Sequence, residues 1–238
     1  MPAAARAAEL TLIAPGGIRA PFAQLIPAFE HQSGHKVVVT FGSGAGTKDR
    51  VLRGEAFDVP VVQPPYENVI ASGHVVAASA TPLASVALGI AVKAGAAKPD
   101  IGDAATVKRL LLAAQTIAYP DPAGGAAAGV SFEAALAKLG IAEAMKPKLK
   151  TARAGSGAMA LVAKGDAELG ITFISEILPE PGVTLVGPFP RDVAAPTALV
   201  AFVGAASKAP DAAKALIAFL AAPEAASVYR ARGMEPGR

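Results

Sequence analysis

The sequence predicts an α/β fold in two lobes, each a mostly parallel sheet flanked by helices. Three observations carry this. Short β-branched runs alternate with stretches of helical periodicity along the whole chain, the pattern of βαβ units. Glycine-rich turns at 15–18, 42–47, 123–130 and 154–157 each follow a strand and precede a helix. Two long apolar runs, 83–93 and 197–203, flank a middle block. That block is expected to be inserted: lobe one comprises 9–82 and 204–238, lobe two 83–203.

Taken in order, Glu9 to Ala14 (ELTLIA) reads as a strand ended by Pro15-Gly16-Gly17. Ile18, Phe22, Leu25, Ile26 and Phe29 recur at helical spacing to about Gln32, with Pro21 in the first turn and Gly34 as the stop. Lys36 to Phe41 is read as a buried strand, because Val37, Val38 and Val39 are β-branched. A short helix is expected near Thr47, carrying Val51 and Leu52. Val59 to Val62 follows as a strand, and Pro60 argues for an irregular or edge position. Gln63 to Tyr66 is a turn and Glu67 to Ser72 a helix stopped by Gly73. Beyond that point the expected strands are 83–93, 116–119, 169–173, 183–186 and 197–203. The expected helices are 107–114, 130–139, one after Ser156, 210–221 and 223–232.

Composition excludes several classes. No run approaches the roughly 18 uninterrupted apolar residues of a membrane span. The formal charge is +3, with basic residues scattered among acids, so no basic stripe for nucleic acid exists. There is no cysteine, and His31 and His35 lie in a polar stretch read as an exposed loop, with no further ligand to complete a metal site. No cofactor is expected. The start, MPAAARAAEL, has the small residues of a signal-peptidase site without the apolar segment that precedes one. A periplasmic protein relieved of its leader is the expectation; a cytoplasmic protein with an Ala-rich start is the alternative.

The turn Gly42-Ser43-Gly44-Ala45-Gly46-Thr47 has the wrong spacing for nucleotide motifs. Lys48 follows Thr47 rather than preceding it, and Thr47 occupies the third-glycine position of a dinucleotide fingerprint. A helix opening after such a turn presents unpaired N–H groups, which suit an anion. In open parallel sheets ligands sit beyond the carboxyl ends of the strands. Four such turns, two from each lobe, are therefore expected to face one cleft and bind a small anion there.

The order ELTLIAPGG, PAFEHQSGHKVVVTFGSGAG, RVLRGEAFDV, YPDPAGGAAAGVSFEAALAKLG and GAMALVAKGDAELGITFISE resembles type II periplasmic solute-binding proteins. It is most similar to the molybdate-binding family that delivers oxyanions to ABC importers, over about 9–233. The resemblance implies two lobes joined by two crossover strands, and an oxyanion site of hydroxyls and backbone N–H groups. Carried over by position, Gly17 and Gly44 stand at two serines, with Ser43 beside the second. Ala128 and Ser156, with Gly155, match backbone donors, and Phe173 stands where a tyrosine hydroxyl reaches the ion. Loss of three hydroxyls argues against molybdate and for a carboxylate.

Gly16 and Gly17 open the first helix, and Arg19 in its first turn offers a planar fork for that carboxylate. Tyr119 and Gln63 are further candidates, with Lys48 and Arg153 behind them. The expected function is an extracytoplasmic solute-binding protein for a small anion, a carboxylate or an oxyanion. It is expected to be a monomer that meets an ABC importer's membrane component. The alternative is an isomerase acting on a tricarboxylate such as aconitate, with Tyr119, Asp121 or Glu176 as the acid or base.

Overall fold

A computed structural model describes residues 7–237. The leader-like start falls largely outside them. In chain order the strands are β1 (Glu9–Pro15), β2 (Lys36–Gly42), β3 (Val59–Val62), β4 (Thr81–Val86), β5 (Leu88–Lys93), β6 (Ile117–Pro120), β7 (Leu149–Ala152), β8 (Leu169–Phe173), β9 (Val183–Pro188), β10 (Thr197–Ala201) and β11 (Met234–Pro236). The α-helices are α1 (Arg19–Ser33), α2 (Gly44–Leu52), α3 (Glu67–Ala71), α4 (Ala104–Ala113), α5 (Ala127–Lys138), α6 (Ala142–Met145), α7 (Gly155–Lys164), α8 (Ile174–Ile177), α9 (Pro210–Ala221) and α10 (Ala225–Ala231). Two compact units result. One holds residues up to Ser85, Ala198–Ala231 and the chain from Glu235; the other holds Val86–Thr197 and Arg232–Met234.

The first unit contains a six-stranded mixed sheet in the order β11-β4-β10-β3-β1-β2. β1 pairs in parallel with β2 and with β3, and β10 runs antiparallel to β3. Successive right-handed crossovers from β1 to β2 and back to β3 put α1 and α2 on opposite faces of the sheet. On the α2 face Ile13, Val62 and Val51 share one cluster with Phe202. Against α1, Phe29 packs edge-on to Phe219 of α9, with ring centroids 5.6 Å apart.

The second unit is built on a five-stranded mixed sheet, β7-β6-β8-β5-β9. β6, β7 and β8 are parallel, while β5 is antiparallel to β8 and β9. Glycines let helices lie close on this sheet. A Cβ on Gly170 of β8 would stand 2.5 Å from Met159 Cε of α7, and one on Gly89 of β5 2.7 Å from Ile174 of α8.

Several expectations change in detail. β2 is the edge of its sheet rather than a buried strand, and Val38 is half exposed. β3 is central and fully buried despite Pro60. Its ladder with β10 runs through Val61 and Val62, and beyond them Pro60 O accepts from Phe202 N–H and Asp58 O from Gly204 N–H, so the pairing passes the proline through its carbonyl. The run 83–93 is two strands in two sheets, broken at Ala87, whose carbonyl accepts from Ile174 N–H. α2, α4 and α5 each open about three residues early. Ser43 caps α2 by accepting from Gly46 N–H at 3.1 Å, and a reciprocal Asp103–Thr106 capping box opens α4. His31 is not in a loop but in the last turn of α1, and His35 Nδ1 accepts from Ala8 N–H at 3.1 Å.

One polar knot ties the start of β3 to β1 and to the segment after β10. Asp58 accepts from Thr11 N–H at 2.8 Å, from the Thr11 hydroxyl at 2.9 Å and from the Ser207 hydroxyl at 2.6 Å. Burial alone would raise this carboxyl, but the bonds from Ser207 and Thr11 outweigh it and hold its pKa below the ordinary value. The stabilisation is therefore complete above the unfolded pKa near 4 and is lost as pH falls through the lower folded value. Asp58→Asn should lower the melting temperature at pH 7 and flatten its decline below pH 4. Melting curves from pH 7 to pH 2 check this; parallel curves for both proteins would show that the knot adds nothing.

Candidate functional site

The parallel strands of each unit end level. In the first unit Pro15 of β1 pairs with Gly42 of β2, and extending the β1–β3 register past Ile13 and Pro60 brings Val62 alongside. Beyond these ends come Gly16-Gly17, Ser43-Gly44 and Gln63. The chain leaves β1 through a single 3-10 turn, Gly16–Ile18, in which Gly17 is buried, and Arg19 N–H bonds back to Gly16 O. From β2 it passes through Ser43 straight into α2, with Gly44 buried as the first helical residue. The two turns therefore open side by side, and the first N–H groups of a helix lack partners within it.

Arg19 is exposed at the first position of α1, where the helix dipole disfavours a cation. Its guanidinium carbon lies 4.1 Å from the centre of the Phe41 ring, near the end of β2. A cation–π contact of this kind holds the guanidinium near the two turns. The sequence reading did not foresee Phe41 as the partner, although the level strand ends bring residues 19 and 41 to the same edge. Ser43 spends an acceptor on Gly46 N–H and keeps its hydroxyl proton to donate. Lys48 reaches Pro65 O, and burial lowers its pKa despite Glu67 and Asp49 nearby.

In the second unit Pro120 of β6 pairs with Ala152 of β7, and the β6–β8 register runs on towards Thr172. α5, α7 and α8 open beyond. Ala128 is buried in the first turn of α5, and Gly129 packs so tightly that a Cβ there would stand 2.1 Å from Pro120 O. Ser156 and Arg153 are exposed. Phe173 ends β8, buried and without a hydroxyl. The Tyr119 hydroxyl is engaged inside this unit: it donates to Glu133 of α5 at 3.1 Å. Burial first, then the Glu133 carboxylate, push the phenol up to about 12, so it stays neutral at physiological pH.

Glu176 was one of three acid or base candidates in the sequence, beside Tyr119 and Asp121. In the structure its Oε2 accepts from the Thr172 hydroxyl at 2.5 Å, and a Cβ on Gly155 would lie 2.7 Å from that oxygen and 2.6 Å from Thr172 Oγ1. The opening of α7 therefore has a carboxylate resident over it, where the four-residue spacing of Thr172 and Glu176 was the available signal. Among the described residues no group of three or more His, Cys, Asp or Glu is placed to hold a metal.

Level strand ends opening into helices, on two such sheets, are the fold of the type II periplasmic binding proteins. The periplasmic molybdate-binding protein of Azotobacter vinelandii superposes with a TM-score of 0.77 at 21% identity, over 94% of this chain and 98% of that one. The sequence then places the chain more narrowly. Residues 10–235 match the model of the bacterial extracellular solute-binding proteins, and the chain belongs to that family. An aconitate isomerase from a Pseudomonas species is 30% identical over 95% of this chain and 87% of its own. The molybdate-binding protein ModA of Azotobacter vinelandii is 32% identical over 97% of this chain and 91% of its own.

The packing at Gly155 makes a test of the second unit. Gly155→Ala should lower stability by roughly 1–3 kcal/mol, the usual cost of overpacking. Chemical denaturation measures it; an unchanged midpoint would mean that Thr172 and Glu176 swing aside freely.

Proposed function

We propose that this protein captures a small carboxylate outside the cytoplasm and delivers it to an ABC importer. The observation that carries this reading is the pair of turns, Gly16-Gly17 and Ser43-Gly44, opening side by side with the Arg19 guanidinium over the Phe41 ring. Helix openings suit any anion, and a planar guanidinium fork suits a carboxylate. Gly17 and Gly44 have no side-chain hydroxyl, which leaves a tetrahedral dianion at these turns short of donors. Family membership and the molybdate-binding relatives support the transport role.

A second reading, isomerisation of a tricarboxylate, is favoured by the aconitate isomerase relative and by the Thr172–Glu176 pair at the opening of α7. Glu176 would be its acid or base. The two readings separate on turnover: trans-aconitate incubated with the protein should remain unchanged under the first.

Calorimetry with di- and tricarboxylates, molybdate and sulfate tests the binding reading. A ligand at 100 times its dissociation constant should add about 2.7 kcal/mol of stability. Molybdate should not bind tightly, and submicromolar molybdate binding would overturn the carboxylate assignment. Arg19→Ala should weaken carboxylate binding by about 1.5–3 kcal/mol, the range of a charge-assisted bond. Arg19→Lys should restore only part, since an ammonium lacks the fork. Unchanged affinity in Arg19→Ala would leave the backbone turns as the whole site.

A further inference from the structure

Three buried side-chain atoms among the described residues lack a hydrogen-bond partner: Thr47 Oγ1 and both amide atoms of Gln63. All three belong to the first unit, close behind the carboxyl ends of β2 and β3. Thr47 lies in the opening of α2, its hydroxyl beside Gly42. Gln63 is the residue after β3 and is 4% exposed. Val62 faces α2, in the cluster with Val51. The alternation of a strand then turns Gln63 to the other face, where α1 begins. The register sets it level with Gly16, the start of the turn that opens α1.

A buried amide without partners is costly, and its two ends ask for opposite things. Nε2 needs an acceptor and Oε1 a donor. Exchanging the two atoms leaves one donor and one acceptor to be satisfied. A carboxylate oxygen satisfies the nitrogen alone. A fully deprotonated carboxylate or tetraoxoanion has no hydrogen for the carbonyl.

We propose that Gln63 is a specificity residue and that the ligand is a hydroxycarboxylate, its carboxylate at the openings of α1 and α2 and its hydroxyl donating to the Gln63 amide. This deepens the carboxylate reading and rests on it. A site with a polar group waiting for a hydroxyl discriminates strongly against the analogue that lacks one. The same chemistry would admit hydrogen phosphate, which keeps a proton, over sulfate, which does not.

The test is calorimetry at pH 8, where carboxylates are deprotonated, with matched pairs: malate and succinate, citrate and tricarballylate, hydrogen phosphate and sulfate. The wild type should prefer the hydroxylated carboxylate of a pair by at least ~100-fold. Preference confined to hydrogen phosphate would assign the same amide to an inorganic ligand and overturn the hydroxycarboxylate. Gln63→Met should erase the discrimination, and Gln63→Asn, whose amide is a methylene shorter, should weaken it. Without ligand Gln63→Met should melt no lower than the wild type, because it replaces an unpartnered amide by an apolar side chain. Retained discrimination in Gln63→Met, or equal binding within every pair by the wild type, would overturn the proposal while leaving anion capture standing. Failure of every anion to bind would overturn both.

Discussion

Backbone polarity at the end of a parallel strand is the constraint on which this structure depends. Three strands that stop level must send their chains away without burying unpaired groups, and a helix opening immediately beyond each is one solution. Here the joint is nearly without length: a single 3-10 turn separates β1 from α1, and Ser43 alone separates β2 from α2. So short a joint fixes each helix axis against its strand and leaves its opening on the rim. Binding geometry is then a by-product of sheet register. Pro15 beside Gly42, and Pro120 beside Ala152, decide where the openings lie.

The two units use the same joint to different electrostatic ends. In the first, the openings keep company with Arg19 and with the amide of Gln63. In the second, the Glu176 carboxylate already stands at the opening of α7, held by Thr172, and the Tyr119 phenol is turned to Glu133. The opening of α7 thus has an acidic side chain beside it, and that of α1 a basic one. The phenol, neutral and already donating, adds no charge of its own.

The architecture was legible because βαβ periodicity and glycine turns are local signals. ELTLIA and its stop at Pro15-Gly16-Gly17 needed nothing from elsewhere in the chain. What escaped depended on distant partners. The Val37-Val38-Val39 run looked buried by composition, but only the strand order shows that β2 has one neighbour. Pro60 looked disruptive because the donor that uses its carbonyl, Phe202 N–H, lies some 140 residues on. Pro27 lies within α1 at an exposed position, a break by propensity that tertiary packing overrides. Gly17, Gly44 and Phe173 were singled out by position in a family pattern. Phe41 beneath Arg19 and Thr172 beside Glu176 were visible only as contacts.

Gly129 and Gly155 differ in a way that bears on inheritance. At Gly129 the obstacle to a side chain is Pro120 O, part of the main chain, and no substitution elsewhere removes a carbonyl oxygen. At Gly155 the obstacles are the side-chain ends of Thr172 and Glu176, which can themselves be exchanged. A lineage descending from this chain can therefore leave glycine at 155 by changing 172 and 176 first, in an order that matters. At 129 no such route exists, and drift there is closed from every starting sequence that keeps the joint between β6 and α5.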